Sequence, residues 1–129
     1  MHLRVVTPKC EKINVEVDSV VLPGALGEIC ILPGHTALIS TLEVGVLQYS
    51  GQESGKLAVN RGFLEVMDDT VTVLTETAEG PQEIDLRRAS EAQHRAEARL
   101  GALGNDPNLD VARAEYALRR AIARLSLVS

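Results

Sequence analysis

Residues 79–89 read EGPQEIDLRRA, and the pattern of apolar residues differs on the two sides of this segment. Before it, apolar residues alternate with polar ones or form short β-branched runs, as in 13–17 (INVEV) and 70–75 (TVTVLT). That period is typical of β-strands. After it, apolar residues recur every three or four positions, which is typical of an amphipathic helix. Gly80 and Pro81 interrupt both patterns, so the segment divides the chain into a β part and an α part.

The β part contains nine strand-length apolar segments separated by clusters of Pro, Gly, Asp and Ser. In chain order the segments read LRVV, INVEV, SVVLP, EICILP, TALISTL, GVLQYS, KLAVN, GFLEV and TVTVLT. Many short strands at close spacing are typical of an antiparallel sandwich or barrel. The pair Asp68 and Asp69, between the last two segments, is interpreted as a turn. We therefore expect an N-terminal antiparallel β-sandwich or barrel over residues 1–80.

The α part is expected to form two helices. The first runs from about Ile84 to Leu103 and ends at Gly104, with Pro107 unable to continue it. The second follows Asp110, its predicted N-cap. The apolar positions that form the predicted seam are Ala89, Ala92, Ala96, Leu100 and Leu103 in the first helix, and Val111, Ala114, Leu118, Ala121 and Leu125 in the second. A short connection predicts an antiparallel two-helix hairpin over residues 84–129, and the fold class is α+β.

The alanine content of this seam predicts a weakly held hairpin. Alanine lets two helices approach closely but removes little apolar surface from water, at about 0.8 kcal/mol per buried CH₂ group. A hairpin packed through alanines is expected to detach or unfold without disturbing the sandwich. Its conformation would then depend on what binds it.

Composition excludes several classes of protein. A formal net charge of −5 and an aromatic content of 2% argue against a nucleic-acid surface, which needs basic patches and stacking side chains. The histidines are scattered, at positions 2, 35 and 94, and the sequence shows no nucleophile–base pair around them. We therefore expect no catalytic site. A small metal-dependent enzyme on a β-barrel would need clustered histidine and carboxylate ligands.

Other features indicate a cytosolic chain. Cys10 and Cys30 form no CxxC motif, and we expect free, reduced thiols that pack as small apolar groups. A strand-like segment follows Met1 directly, so we expect no signal peptide. No uncharged run approaches the ~20 residues that a membrane-spanning helix needs. Membrane association is therefore expected only indirectly, through a partner.

The charges are distributed unevenly along the chain. Residues 1–82 carry eleven acidic and five basic residues, whereas residues 83–129 carry seven acidic and eight basic residues. All eight basic residues of the second part are arginines, at positions 87, 88, 95, 99, 113, 119, 120 and 124. Arginine is preferred over lysine where phosphate or carboxylate is bound in a bidentate manner.

Helical spacing places these arginines on shared faces, which leaves three interpretations open. Arg88, Arg95 and Arg99 share one face of the first helix, and Arg113, Arg120 and Arg124 repeat that spacing on the second. The faces could be solvated, with ion pairs Glu91–Arg95 and Glu115–Arg119 at i,i+4. They could instead dock an acidic partner or grip phosphate. No glycine-rich phosphate loop is present, so phosphate would be held by side chains.

Three motifs in order resemble the epsilon subunit family of the F-type ATP synthase. They are GEICILPGHTALISTLEVGVL (27–47), AVNRGFLEVMDDTVTVL (58–74) and EIDLRRA (83–89), followed by the Ala/Arg helical hairpin. The resemblance covers essentially the whole chain. It implies a β-sandwich with two C-terminal helices, in agreement with the periodicity.

The resemblance implies a non-catalytic subunit of the rotor, or central stalk. Its sandwich would dock on the gamma subunit and on the ring of membrane c subunits, coupling proton-driven rotation to ATP synthesis. The turn with Pro33, Gly34 and His35 lies where the family meets its rotor partners. The hairpin would inhibit ATP hydrolysis when extended towards the catalytic alpha and beta subunits and permit it when folded on the sandwich. The implied location is the cytoplasmic face of the bacterial plasma membrane, as a peripheral part of the complex.

The resemblance also implies a regulatory ATP site on the folded hairpin, with no cofactor required. Carried over by position, Asp85 and Arg88 belong to the family motif, and Arg95 follows on the first helix. Arg120 and Arg124 lie on the second helix, and Glu79 lies in the linker. The arginines would hold phosphate oxygens, while the acids would accept hydrogen bonds from the base or the ribose. Arg87 is expected to be solvated.

Two alternatives stay open at this stage. The same arginines, on an extended hairpin, could pair with acidic residues of the beta subunits without any nucleotide. The chain could also be a free-standing ATP-binding module, which would be a stable monomer with no affinity for gamma.

Overall fold

The computed structural model describes residues 1–101 and 110–128. Within these ranges a strand-rich region precedes two helices, as the periodicity predicts. The strands are β1 (His2–Val6), β2 (Glu11–Gly24), β3 (Gly27–Ile31), β4 (Leu38–Leu42), β5 (Gly45–Gly51), β6 (Gly55–Val59), β7 (Gly62–Met67), β8 (Thr70–Thr75) and β9 (Ala78–Glu79). A 3₁₀ turn (Pro81–Glu83) leads into α1 (Leu86–Gly101) and α2 (Val111–Val128). Neither helix, over the described residues, is long and apolar enough to cross a membrane.

The strands pair in the order β1-β8-β7-β4-β2-β5-β6-β9, with β3 and β1 also paired to β2. All pairs are antiparallel except β1 with β8, which run parallel. The predicted sandwich is therefore confirmed. The parallel pair joins the first strand of the chain to the eighth, a long-range contact that local periodicity cannot reveal.

Strand β2 corrects one prediction, since the segments INVEV and SVVLP form a single strand of 14 residues. Its register slips between Val17 and Ser19, so a bulge marks the point where two strands were expected to be separate. Before the bulge β2 pairs with β1, and beyond it β2 pairs with β5 and β3. The long strand therefore connects the two halves of the sheet.

The core of the sandwich is built from aliphatic side chains of the strands. Its members are Leu3, Val5, Val17, Val20, Leu22, Ile31, Leu42, Leu47, Tyr49, Leu57, Val59, Leu64, Val66, Val71, Val73 and Ala78. Among the described residues, no helical side chain belongs to this buried cluster. The sandwich therefore has a hydrophobic core that does not depend on the helices.

The cysteine prediction is half right. Cys10 and Cys30 are free thiols, as expected, but both are exposed, so they do not pack as small apolar groups. Cys30 lies on β3 with its side chain on the outer face, between the buried Ile31 and the partly buried Ile29. Alternation along the strand places neighbouring side chains on opposite faces, and Ile31 takes the inner one.

Both helices begin at aspartate caps. The Asp85 carboxylate accepts a hydrogen bond from the Arg88 backbone N–H at 3.1 Å, and Asp110 accepts one from the Arg113 N–H at 3.0 Å. Each bond satisfies a backbone donor that lacks a partner within the helix. The first helix thus starts two residues after the predicted Ile84, because Asp85 caps it. The predicted end at Gly104 and Pro107 lies outside the described residues, as does Leu103.

The hairpin packs through alanines, as its sequence predicts. The fully buried residues of the helices are Ala89 and Ala96 in α1 and Ala114, Ala121 and Ala123 in α2. The predicted seam positions Leu118 and Leu125 are half-buried. Ala123 was not predicted, because it lies outside the three-and-four spacing that the other seam positions follow.

Candidate functional site

A cavity of about 460 Å³ lies where the start of α1 meets the end of α2 and the linker. Its polar lining consists of Glu79, Glu83, Asp85, Arg88, Glu91, Arg95 and Arg124. Its apolar lining consists of Ile84, Ala89 and Ala92. The volume lies within the range that small-molecule sites occupy. We call this space the acid–arginine cavity.

A groove of about 260 Å³ lies next to the acid–arginine cavity, between α1 and α2. Arg95, Arg99, Arg120 and Arg124 line it together with Ala92, Ala96 and Ala117, and among the described residues no carboxylate lines it. We call it the arginine groove. Arg95, Arg124 and Ala92 belong to both spaces, so the cavity and the groove adjoin. One end of the combined site is therefore rich in carboxylates, and the other is strongly positive.

The structure brings together the residues that the sequence singles out. Glu79, Asp85, Arg88, Arg95 and Arg124 line the acid–arginine cavity, and Arg120 lies in the adjoining groove. Sequence reasoning did not assign Glu83, Glu91 and Arg99 to the site. Glu91 and Arg99 lie one helical turn from assigned residues, a spacing that could have identified them.

Glu79 and Arg124 form the ion pair that joins the linker to α2. The Arg124 Nη2 and Nε atoms lie 2.7 Å and 2.9 Å from the same carboxylate oxygen, Oε1 of Glu79. Both side chains are half-buried, at 25% exposure for Glu79 and 33% for Arg124. Three of the five guanidinium N–H donors remain for another acceptor.

The other arginines of the site have guanidinium groups that no described carboxylate neutralises. Within residues 1–101 and 110–128, the guanidinium groups of Arg88, Arg95, Arg99 and Arg120 form no ion pair. The expected pair Glu91–Arg95 is wrong, because Glu91 instead accepts a hydrogen bond from Arg87 Nε at 3.2 Å. Arg87 is 87% exposed, in agreement with its predicted solvation.

Asp85, the acid of the EIDLRRA motif, caps α1, a structural role that was not predicted from the sequence. Asp85 Oδ1 accepts the capping hydrogen bond from the Arg88 N–H, which leaves Oδ2 for a ligand. The cap holds the first turn of α1 at the mouth of the acid–arginine cavity. The aspartate thus orients the backbone from which the Arg88 side chain projects.

Glu83 ties the linker to the sandwich. Its carboxylate bonds to the Lys12 ammonium on β2 and accepts the Gly80 N–H at 3.2 Å. Lys12 is the main cause that holds the pKa of Glu83 below its usual value of 4.5, although partial burial opposes the shift. The folded chain therefore favours the ionised carboxylate.

We expect Glu83→Gln to destabilise the chain by about 0.2–1 kcal/mol at neutral pH, the usual range for an exposed ion pair. A carboxyl group with a lowered pKa in the folded state stabilises the fold above its unfolded pKa, and this stabilisation is lost as the pH falls through its folded pKa. Urea denaturation at pH 7 and in acid should show the difference from the original chain disappearing in acid. Glu28→Gln, an exposed position on β3, is the matched control. A difference that persists in acid would contradict the ion pair.

The predicted interface residues form an exposed turn at one end of the sandwich. The His35 N–H donates to the Leu32 carbonyl at 3.2 Å, and Gly34 has a φ of +80°, the value that a type II turn requires at its third position. Pro33, Gly34 and His35 are all exposed, and Leu32 is 55% exposed.

The neighbouring hairpin turn supports this loop. Asp68 and Asp69 both have positive φ, at 51° and 58°, which confirms them as a turn between β7 and β8. Asp69 Oδ1 accepts the Gly34 N–H at 3.0 Å, and this bond is the main cause of the lowered pKa of Asp69.

The chain matches one family along its whole length. Residues 1–81 match the beta-sandwich domain, and residues 82–129 the long alpha-helix domain, of the family described as ATP synthase, Delta/Epsilon chain. The ATP synthase epsilon chain of Desulfitobacterium hafniense (strain Y51) is 47% identical over 125 residues, covering 96% of this chain and 92% of the relative. That of Moorella thermoacetica is 44% identical over 127 residues, covering 97% and 93%.

Solved structures share the fold. A chain of the Euglena gracilis mitochondrial ATP synthase (OSCP/F1/c-ring, rotational state 1) has a TM-score of 0.81 at 23% identity, covering 96% of this chain and 78% of that chain. A chain of the Tetrahymena thermophila mitochondrial ATP synthase (central stalk/cring) has a TM-score of 0.60 at 18% identity, covering 98% and 92%. The family match over the whole chain, together with the two epsilon-chain relatives, shows that the chain belongs to the delta/epsilon chain family of ATP synthase and is a non-catalytic accessory subunit of that complex.

Proposed function

We propose that this chain is the central-stalk subunit that couples proton-driven rotation to ATP synthesis, and that its hairpin is a nucleotide-sensing regulator of ATP hydrolysis. The sandwich would dock on gamma and on the c-subunit ring, with the Pro33–His35 turn at the interface with these rotor partners. The chain would be held at the cytoplasmic face of the bacterial plasma membrane only through these partners. The relatives named as epsilon chains, and the stalk and c-ring assemblies that contain similar folds, support this assignment.

One observation carries the nucleotide proposal: arginines line the whole of one continuous site, whereas the carboxylates among the described residues lie only in its acid–arginine cavity. The four carboxylates lie around the acid–arginine cavity, where they can accept hydrogen bonds from an adenine amine and from ribose hydroxyls. The four guanidinium groups of the arginine groove, together with Arg88 in the adjoining acid–arginine cavity, would hold the phosphates. Charge-assisted bonds from arginine to phosphate are stronger than bonds between neutral groups.

The packing of the hairpin supports a regulatory arm. Helix α2 lies against β5 and β6, so the described conformation has the hairpin folded on the sandwich. Ala58 on β6 is buried outside the core cluster and lies beside Arg120 and Arg124, so at this point the covered side chain is small. Among the described residues the helices fully bury only alanine side chains, so a bound anion can shift the position of the arm.

Titration of the isolated chain with ATP and with ADP tests the nucleotide proposal directly. Calorimetry should show saturable binding of ATP, with protection of α1 and α2 amides from hydrogen exchange in the bound state. An absence of binding up to millimolar ATP would remove the sensor role. The arginines would then be left for acidic residues of the beta subunits, since free guanidinium groups suit those equally well.

We expect deletion of residues 84–129 to leave a folded sandwich that still assembles with gamma and raises the ATPase activity of the complex. The sandwich should lose about 1–2 kcal/mol or less, because its core cluster contains no side chain of the described helices. Circular dichroism, co-purification with gamma and an ATPase assay measure the three results. Failure to assemble would show that the hairpin is structural. Co-purification of the full chain with gamma would also exclude a free-standing ATP-binding module.

A further inference from the structure

One aromatic ring joins the hairpin to the sandwich. The Arg61 guanidinium carbon, in the connection between β6 and β7, lies 4.1 Å from the ring centroid of Tyr116 on α2. Arg119, one turn further along α2, lies 5.4 Å from the same ring. Both distances are within the ~6 Å at which a cation over an aromatic face is attracted by the ring. The closer contact crosses between the two parts of the fold, whereas the second stays within the helix.

The sandwich holds Arg61 in place through a buried polar network. The side-chain oxygen of Asn60 accepts the Arg61 N–H at 2.8 Å. The Asn60 N–H donates to Thr75 Oγ1 at 3.1 Å, and the Thr75 hydroxyl donates to the Asn60 carbonyl at 3.0 Å. Asn60 and Thr75 are 8% and 5% exposed. The backbone of Arg61 is therefore anchored to β8 before its side chain reaches α2.

Helical geometry connects Tyr116 to the arginine groove. Arg120 and Arg124 follow it at four and eight residues, so the three side chains lie along the same face of α2. A contact that holds the Tyr116 ring therefore sets the rotation and the height of α2 on the sandwich. Arg120 and Arg124 are placed beside Ala58 and Glu79 as a result.

We propose that Arg61 and Tyr116 form a clamp that holds the hairpin on the sandwich and sets how often it is released. Among the described residues the helices fully bury only alanines, so a single cation–π contact is a substantial part of the hairpin's attachment. The clamp itself rests on the contacts above. Its effect on hydrolysis rests on the proposed function.

Hydrogen exchange of the full-length isolated chain, without nucleotide, tests the clamp. We expect Arg61→Ala and Tyr116→Leu each to speed exchange of α2 amides by about two- to tenfold, the effect of a cation–π contact at a partly exposed site. Amides of β7 and β8 should exchange as before, which separates release of the hairpin from general loss of stability. Arg61→Lys should restore part of the protection, because an ammonium group also binds an aromatic face.

Arg113→Ala is the matched control, because Arg113 is an exposed arginine of α2 that belongs to neither the cavity nor the groove. Its α2 amides should exchange at the original rate. Unchanged α2 exchange in both Arg61→Ala and Tyr116→Leu would overturn the clamp, and so would equal acceleration across the strands.

The assembled complex separates the clamp from the regulatory function. If an extended hairpin inhibits hydrolysis, Arg61→Ala should lower the ATPase activity of the complex. Faster α2 exchange with unchanged ATPase activity would support the clamp and reject regulation by the arm. Unchanged exchange with altered ATPase activity would reject the clamp and leave the proposed function intact.

Discussion

Replacement of Gly62 by alanine is expected to lower the free energy of unfolding by about 3–5 kcal/mol, a large loss for one methyl group. A Cβ atom at Gly62 would lie 1.8 Å from the carbonyl oxygen of Leu74, 2.8 Å from its carbonyl carbon and 3.0 Å from Thr75 Cα. All three are backbone atoms of β8, so no side chain can rotate away to relieve the clash. The two strands would have to separate where Gly62 pairs with Thr75. Urea denaturation followed by circular dichroism measures the loss.

Gly101→Ala is the matched control for this change. Apart from the backbone of its own helix, no described residue lies within 4 Å of a Cβ at Gly101, at the end of α1. Alanine there should be neutral or stabilise the chain by up to about 1 kcal/mol, because it restricts the unfolded backbone and favours the helix. If Gly62→Ala and Gly101→Ala proved equally stable, β7 and β8 could not approach each other as described.

Arg88→Ala is expected to weaken ATP binding by about 1.5–3 kcal/mol, the usual value of a hydrogen bond to a charged group. This corresponds to about a 10- to 150-fold rise in the dissociation constant. The Arg88 side chain lines the acid–arginine cavity and forms no ion pair among the described residues, so its whole charge is available to a phosphate. The helix cap uses the backbone N–H of Arg88 and survives the substitution. Calorimetric titration with ATP measures the change.

Arg87→Ala provides the comparison for Arg88→Ala, since it removes the same charge from the adjacent position. Arg87 is exposed, pairs with Glu91 and lies outside the lining of the cavity. Its removal should leave the dissociation constant for ATP within about twofold, as for a screened surface charge. If both substitutions raised the dissociation constant for ATP equally, binding would depend only on the net charge of the chain and not on the position of Arg88. An unchanged titration for Arg88→Ala would end its assignment as a phosphate contact.

The hairpin shows how far local pattern can predict this fold. The cap at Asp110 was predicted from short-range chemistry and is present in the structure, whereas the cap at Asp85, of the same kind, was not predicted. Periodicity also identified the buried alanines Ala89, Ala96, Ala114 and Ala121. The partner of Glu91 was wrong because two arginines, Arg87 and Arg95, are each four residues away. Spacing alone does not distinguish them, and the usual preference for the acid N-terminal to the base favours Arg95, which the structure does not follow.

The site shows the same division between local and long-range information. Residue type and spacing singled out Asp85, Arg88 and Arg95, which lie within three turns of one helix. The clamp between Arg61 and Tyr116 joins residues far apart in the chain, and no sequence pattern pointed to it. Arginine and tyrosine are each common on surfaces, so neither one indicates a contact by itself.

Sequence alone determined that strands give way to helices at Gly80 and Pro81. It also determined that alanines form the seam of the hairpin and that every basic residue of the hairpin is an arginine. These features depend only on the spacing of residues along the chain, because the geometry of a helix or strand places residues at a fixed spacing on the same face. Tertiary structure alone decided that β1 runs parallel to β8, that Glu79 binds Arg124, and that the arginines of two helices share one groove. These contacts depend on the path of the whole chain, because the free energy that selects them comes from burial and charge pairing between distant segments.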